Sequence, residues 1–230
     1  SVHSFPTRRS SDLIPRIAQY YGEPFGNSSA LPAYFCAKVA KEDGVDLMVA
    51  GDGGDELFAG NSRYLSQQVF EAYSRVPEVL RRALLEPAFF KRPWSDSFIL
   101  LRKASRYIEQ AKVPLPDRLD SYNFLHRHDP REVFTAEFLE GVDPMLPLRE
   151  VRETYEAPDD ASTLNRMLYL DWKRTLQDND LVKVNYMCEM AGVDVVYPLL
   201  DDDVVEFSCR VPSNLKIKGG KIRYFYKKAM

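Results

Sequence analysis

Three acids and three glycines fall within the six residues Gly51-Asp52-Gly53-Gly54-Asp55-Glu56. Glycines let a backbone turn sharply and let a ligand approach the chain closely. Such a turn favours a phosphate, but three carboxylates repel one. A hard divalent cation resolves the conflict, because Mg²⁺ is held by one or two carboxylates together with substrate phosphates. The competing reading is an ordinary acidic turn between a strand and a helix.

A strand and a helix must hold this turn. Val45, Leu47, Met48, Val49 and Ala50 form a nearly continuous apolar run. The run predicts a strand over 45–50 that is buried on both faces, as in a parallel sheet. Ligands bind beyond the carboxyl ends of such strands. Asp55 and Glu56 open the following helix, where their charge suits the positive end of the dipole. Upstream, residues 14–21 read as the end of a helix. A second helix is expected to follow the 23–32 loop, capped by Ser28 or Ser29, with Pro32 in its first turn. It runs to about Asp43, and Gly44 ends it.

The string from Gly51 to Phe58, with Gly60, resembles the S-G-D-G-G-D-E-L-F-x-G motif of asparagine synthetases and related ATP-dependent amide-forming enzymes; nine residues match in order. Residues 181–201 resemble the same family's L-V-K-V-D-R-x-S-M-A-x-x-x-E-x-R-x-P-x-L-D segment. Lys183, Asp194 (for Glu), Pro198, Leu200 and Asp201 are retained. Asn185 and Tyr186 replace the usual Asp-Arg pair, and Val196 replaces a usual Arg, so two planar donors are lost. Lys183 and Asp194 serve either the site or the bridging of helices. The 23–32 loop resembles D-E-P-F-x-D-x-S-x-x-P, with Gly22 and Asn27 where acids are usual, and is expected to shape a pocket. Lys216-Ile-Lys-Gly-Gly-Lys-Ile-Arg223 carries four basic residues around two glycines. Alone it reads as a solvated basic turn; its place in the family order favours a functional role for Lys221 only.

The resemblance implies an α/β fold. A partial doubly wound parallel sheet of the adenine nucleotide alpha hydrolase kind would be followed by a mostly helical region. It implies adenylation of a carboxylate, aspartate or a relative, by ATP and Mg²⁺, with displacement of AMP by ammonia from a glutaminase domain. Asp52 would assist proton removal from the amine and Asp55 would hold Mg²⁺. Ala50, Gly51, Gly53 and Gly54 would lie against the nucleotide, although Ala50 lacks a usual hydroxyl and Asn61 replaces a frequent Tyr. Lys221 would neutralise charge on the leaving pyrophosphate. The S-G-G-x-D-S pyrophosphate loop does not occur in these 230 residues, so the chain alone is expected to be inactive. A non-enzymatic helical interaction domain with a decayed nucleotide site is the alternative.

A hydrophobic content of 45% and a charged content of 28% are those of an ordinary globular chain. The net charge of −3 gives no reason to expect nucleic acid, and no apolar run suggests a membrane span. Cys36, Cys188 and Cys209 are widely spaced and read as reduced thiols in a cytoplasmic protein. Homo-oligomerisation is left open. Residues 1–13 read as a non-native or disordered leader, and 14–230 as a partial synthetase domain truncated at both ends. Prolines punctuate residues 62–174, which read as helices of modest length. Helical spacing recurs over 164–175, 181–190 and 202–209. Residues 193–198 read as extended and 211–214 as a turn. His126 and His128 with Asp129 are a weak metal signal. The aromatic pairs Phe89-Phe90 and Tyr224-Phe225-Tyr226 read as core or interface.

Overall fold

The computed structural model describes residues 10–74, 76–81, 108–120 and 128–230. The chain divides into two compact units. One comprises Ser1–Gly60, Asp171–Lys216 and Phe225–Met230, the other Asn61–Leu170 and Ile217–Tyr224.

The core of the first unit is a packing of three helices. Helix α1 spans Ser10–Tyr21 and turns Leu13, Ile17 and Tyr21 inward at a spacing of one helical turn. Helix α2, Ala30–Glu42, buries Ala30, Tyr34 and Ala37 by the same rule. The helix Leu181–Ala191 contributes Met187, which is fully buried between them. An aromatic cluster seals the edge. Tyr21 stacks on Phe25 at 3.9 Å and meets Tyr186 at 5.1 Å. The first helix thus begins inside the stretch read as a leader, and Leu13 belongs to the core. Ser29 stands at the cap position of α2 but makes no side-chain capping bond. Gly44 follows that helix at φ +81°, as a C-terminal glycine should.

The expected strand forms but is shorter and more exposed than its sequence suggests. Strand β1 covers Leu47–Val49 and pairs in parallel with β2, Asp194–Val196, in the register Leu47↔Asp194 and Val49↔Val196. Backbone bonds from Asp194 N–H to Asp46 O and from Ala50 N–H to Val196 O, both 2.9 Å, close its two ends. Leu47 is 54% exposed and Val49 70% exposed. Burial on both faces is therefore corrected. Only two strands pair among the described residues, and one face of β1 has no cover there. The architecture is mostly helical with a small parallel sheet, and the doubly wound extension is not part of it among these residues.

The residues after the first helical pattern hold another departure. The helix expected over 164–175 is an α-helix only over Thr163–Asp171 and gives way to a π-helix over Trp172–Asp180. The predicted turn at 211–214 is partly helical, because Ser213–Lys216 forms a short helix. Lys216, grouped with the solvated basic turn, is buried at 5% exposure.

In the second unit a buried Arg118 organises the helices. Its Nε donates to Gln67 Oε1 at 2.7 Å, its Nη2 pairs with Glu71, and its guanidinium lies 5.1 Å from the Phe70 ring centroid. Nearby, Arg152 holds Asp117 through two bonds of 2.8 and 2.6 Å. Pro130 and Pro147 sit in the first turns of their helices, where proline's missing N–H costs nothing. Phe89, Phe90 and His126 lie outside the described residues.

Candidate active site

The turn after β1 is built by conformation and packing together. Gly53 caps the short helix α3, Gly54–Phe58, at φ +91°, a backbone region that disfavours any side chain. A Cβ on Gly53 would collide with Leu200 Cδ2, and one on Gly54 would lie 3.0 Å from Leu199 Cδ1. These two glycines therefore admit the Pro198–Leu200 turn against α3. Gly51 differs, since a Cβ there would meet nothing within 4 Å. Of the three, Gly51 is the one whose bareness opens towards solvent. Leu57 and Phe58 anchor the far end of α3 in the core, where Phe58 meets Tyr226 at 5.2 Å.

The acids of the turn are half-buried and lie close to one another. Burial pushes the Asp52 carboxyl above its ordinary value; the Lys183 charge pulls it back and Asp180 pushes it further up. Lys183 Nζ is fixed by Asp180 Oδ1 at 2.7 Å. Glu56 is pushed up to about 7, first by burial and then by Asp55, Asp171 and Asp180, against a lowering by its own backbone bond. The Asp52 charge also reaches Cys188 and Tyr197. Burial raises both, and the Asp52 charge adds to each. The Tyr197 hydroxyl donates to Asn185 Oδ1 at 2.8 Å.

The structure thus gathers Asp52, Asp55, Glu56, Asp180 and Lys183 about one turn. Ala50 and Gly51 stand at the carboxyl end of the strand. Asp194 is an exposed strand residue outside this group. Lys221 lies in the second unit, in a two-residue hairpin. Lys218 and Lys221 exchange backbone bonds of 3.2 and 3.0 Å across Gly219 and Gly220, whose φ values of +58° and +72° are those of a type I′ turn. Asp180 and Tyr197 were not singled out in the sequence, and neither was the acidity of Glu56. Asp180 had one legible sign, its spacing of three residues before Lys183. His128 is an exposed residue 3.4 Å from Glu132. Among the described residues no group of three or more His, Cys, Asp or Glu side chains could hold a metal ion.

A parallel strand with a glycine–aspartate turn at its carboxyl end is an arrangement found in α/β proteins, where ligands sit beyond the carboxyl ends of the strands. The chain belongs to the Asparagine synthase family, whose profile matches residues 4–230. It is similar to asparagine synthetase [glutamine-hydrolyzing] 1 of Bacillus subtilis, with 28% identity over 217 residues, covering 94% of this chain and 32% of that protein. It is also similar to a putative asparagine synthetase of Mycobacterium tuberculosis, with 24% identity and the same coverage of 94% and 32%. A second putative asparagine synthetase, from Methanocaldococcus jannaschii, is 34% identical over 77 residues, which is 34% of this chain and 15% of that protein. The chain spans about a third of the length of the first two relatives. No solved structure matches it. No helix among the described residues is long and apolar enough to cross a membrane.

Proposed function

We propose that this chain is part of an ATP-dependent amide-forming synthetase, in which the Asp52–Asp55 turn handles the activated carboxylate. The carrying observation is the half-buried Asp52 at the end of a parallel strand, balanced by Lys183 and Asp180. A carboxyl raised by burial is a better proton acceptor than an ordinary aspartate. Asp52 beside an acyl-adenylate would take a proton from the incoming amine. Asp55, in the first turn of α3, would hold Mg²⁺. Among the described residues no three such side chains converge, so the ion would take its remaining ligands from phosphates and water. Bound there, Mg²⁺ would offset charge on the departing pyrophosphate. Lys221 at its hairpin tip would add a second positive charge. Ala50, Gly51, Gly53 and Gly54 would line the nucleotide through their backbone, with Gly51 as the most open. Ammonia would come from a glutaminase domain, and the whole enzyme would work in the cytoplasm.

The substrate carboxylate need not be aspartate. Tyr186 packs among Tyr20 and Tyr21 at 5.6 and 5.1 Å, and Asn185 is used by Tyr197. Positions that carry Asp and Arg in the motif serve internal packing here. This favours a synthetase acting on a different carboxylate.

The test is pyrophosphate release by the full-length protein with ATP and a panel of carboxylic acids. Asp55→Asn should abolish release, because the amide keeps the shape and loses the charge. Asp52→Asn should keep release and slow amide formation. Equal, mild losses in both variants would sink the assignment.

A further inference from the structure

Residues 129–146 of the second unit set large apolar side chains in solvent on a backbone that is locally fixed. Val133, Phe138, Val142, Met145 and Leu146 are 40%, 50%, 44%, 47% and 47% exposed. No residue of the helix Ala136–Glu140 is buried. Exposed apolar residues scattered singly are ordinary, whereas several together mark an interaction surface. The stretch is held in shape by its own caps. Asp129 Oδ1 accepts from Arg131 N–H at 3.0 Å at the start of the helix Pro130–Val133. Thr135 caps the helix Ala136–Glu140 by accepting from Phe138 N–H at 3.3 Å. Asp143 Oδ1 accepts from Met145 N–H at 2.9 Å. The Phe134 and Phe138 rings stack at 5.0 Å. Fixed turns thus present the apolar side chains outward.

Charge selects the occupant. The stretch carries five acids, Asp129, Glu132, Glu137, Glu140 and Asp143, against one basic residue, Arg131. Arg131 and Arg149 pair with Asp129 and Asp143. Glu137 and Glu140 are exposed and have no cationic partner among the described residues. Two occupants are disfavoured by sign. A second copy docked on the same patch sets like against like, and like charges across an interface cost affinity. A cytoplasmic membrane surface is negative and repels the same acids. A cationic partner gains twice: its apolar side chains cover Phe138 and Met145, and its charges meet Glu137 and Glu140. The flexible thioether of Met145 adapts to the shape it meets.

We propose that the 129–146 face docks a basic amphipathic helix of a partner protein. Apolar anchors on one face of that helix rest on Phe138 and Met145, and flanking lysines or arginines meet the two unpartnered glutamates. This is recognition of a helix by its apolar stripe, with charge setting which helix is accepted. The proposal stands whether or not the Asp52 turn performs adenylation.

The experiment is fluorescence anisotropy of a labelled peptide titrated with the whole chain. The probe is a short peptide of leucine and lysine at helical spacing. A peptide with glutamate in place of lysine, and a scrambled leucine–lysine peptide, accompany it. The expected result is saturable binding of the helical lysine peptide, with both companions at least about tenfold weaker, a change of about 1.4 kcal/mol. Phe138→Ser and Met145→Ser should each weaken binding about tenfold, with circular dichroism verifying their fold. The double variant Glu137→Lys, Glu140→Lys removes no apolar surface and should weaken the lysine peptide while strengthening the glutamate one. Glu42→Lys, in the first unit, should leave binding unchanged. Absence of binding would overturn the proposal, as would equal binding of the three peptides or binding indifferent to the 129–146 variants. Self-association of the chain that Phe138→Ser abolishes would give the face to a second copy. Adsorption to phosphatidylcholine vesicles lost in the same variant would give it to a lipid surface. Either result would overturn the proposal as well.

Discussion

At the scale of single residues, position decides what each acid does. Asp52 and Asp55 are the same residue type three positions apart, yet Asp52 faces Lys183, Asp180 and Tyr197 while Asp55 opens a helix. The raised Asp52 carboxyl has a signed consequence. A group whose folded value lies above its unfolded value contributes stability that is complete below the unfolded value and is lost as pH rises through the folded one. Asp52 therefore opposes folding at neutral pH. Asp52→Asn should melt at a higher temperature than the parent chain at about pH 7, and the gap should close below about pH 3, where the carboxyl is largely protonated in both states. Paired thermal melts across that window check it; a gap that stays constant with pH would contradict it. Lys216 gives the companion case. It is buried, and that burial holds its ammonium below its usual value. Its contribution is present above the unfolded value and is lost as pH falls, so Lys216→Met should raise the melting temperature at neutral pH.

At the scale of elements, the turn after β1 depends on how closely α3 approaches the Pro198–Leu200 turn. Gly53→Ala adds a side chain at φ +91° and drives it into Leu200. Strain and overpacking together should cost about 2–4 kcal/mol, measured as a lowered urea midpoint with unchanged slope. Gly51→Ala meets open space and should cost well under about 1 kcal/mol. If Gly51 lies against nucleotide, that same substitution should weaken ATP binding in the full-length protein, so the two glycines separate packing from ligand contact. In the second unit Arg118 ties Gln67 and Glu71 to its own segment. Arg118→Met removes the cation and leaves Glu71 with one partner fewer, at a cost of about 3 kcal/mol. Chemical denaturation reads this directly, and a midpoint equal to the parent's would show the buried arginine to be dispensable.

At the scale of the whole molecule, the chain covers 32% of its Bacillus subtilis relative. The 230-residue chain, which lacks an S-G-G-x-D-S loop, should release pyrophosphate no faster than a buffer control. The full-length protein should release it with a suitable carboxylate. Release by the short chain alone would show that the Asp52 turn and Lys221 suffice.

Much of the local structure was legible in the chain. The apolar spacing of Ile17 and Tyr21 and of Tyr34 and Ala37 is the pattern of helix faces, whereas Leu13, read as leader, and Ala30, read as loop, joined those faces only in the structure; Gly44 marks an end that no other residue type makes as easily. The parallel strand after that glycine and the acidic turn beyond it follow from the run at 45–50 and its glycines. These are properties of neighbours in sequence, set by periodicity and backbone freedom. The tertiary structure decided the rest. It exposed Leu47 and Val49, because the cover of a strand face is supplied by distant segments. It gave Gly53 and Gly54 their reason in Leu200 and Leu199, about 145 residues away. It raised Asp52 and Glu56 by burial among Asp171, Asp180 and Lys183, and it opened a cavity between residues 24–28 and the π-helix. Burial and electric field depend on which groups meet in space, and residues so far apart in the chain carry no local sign of that meeting.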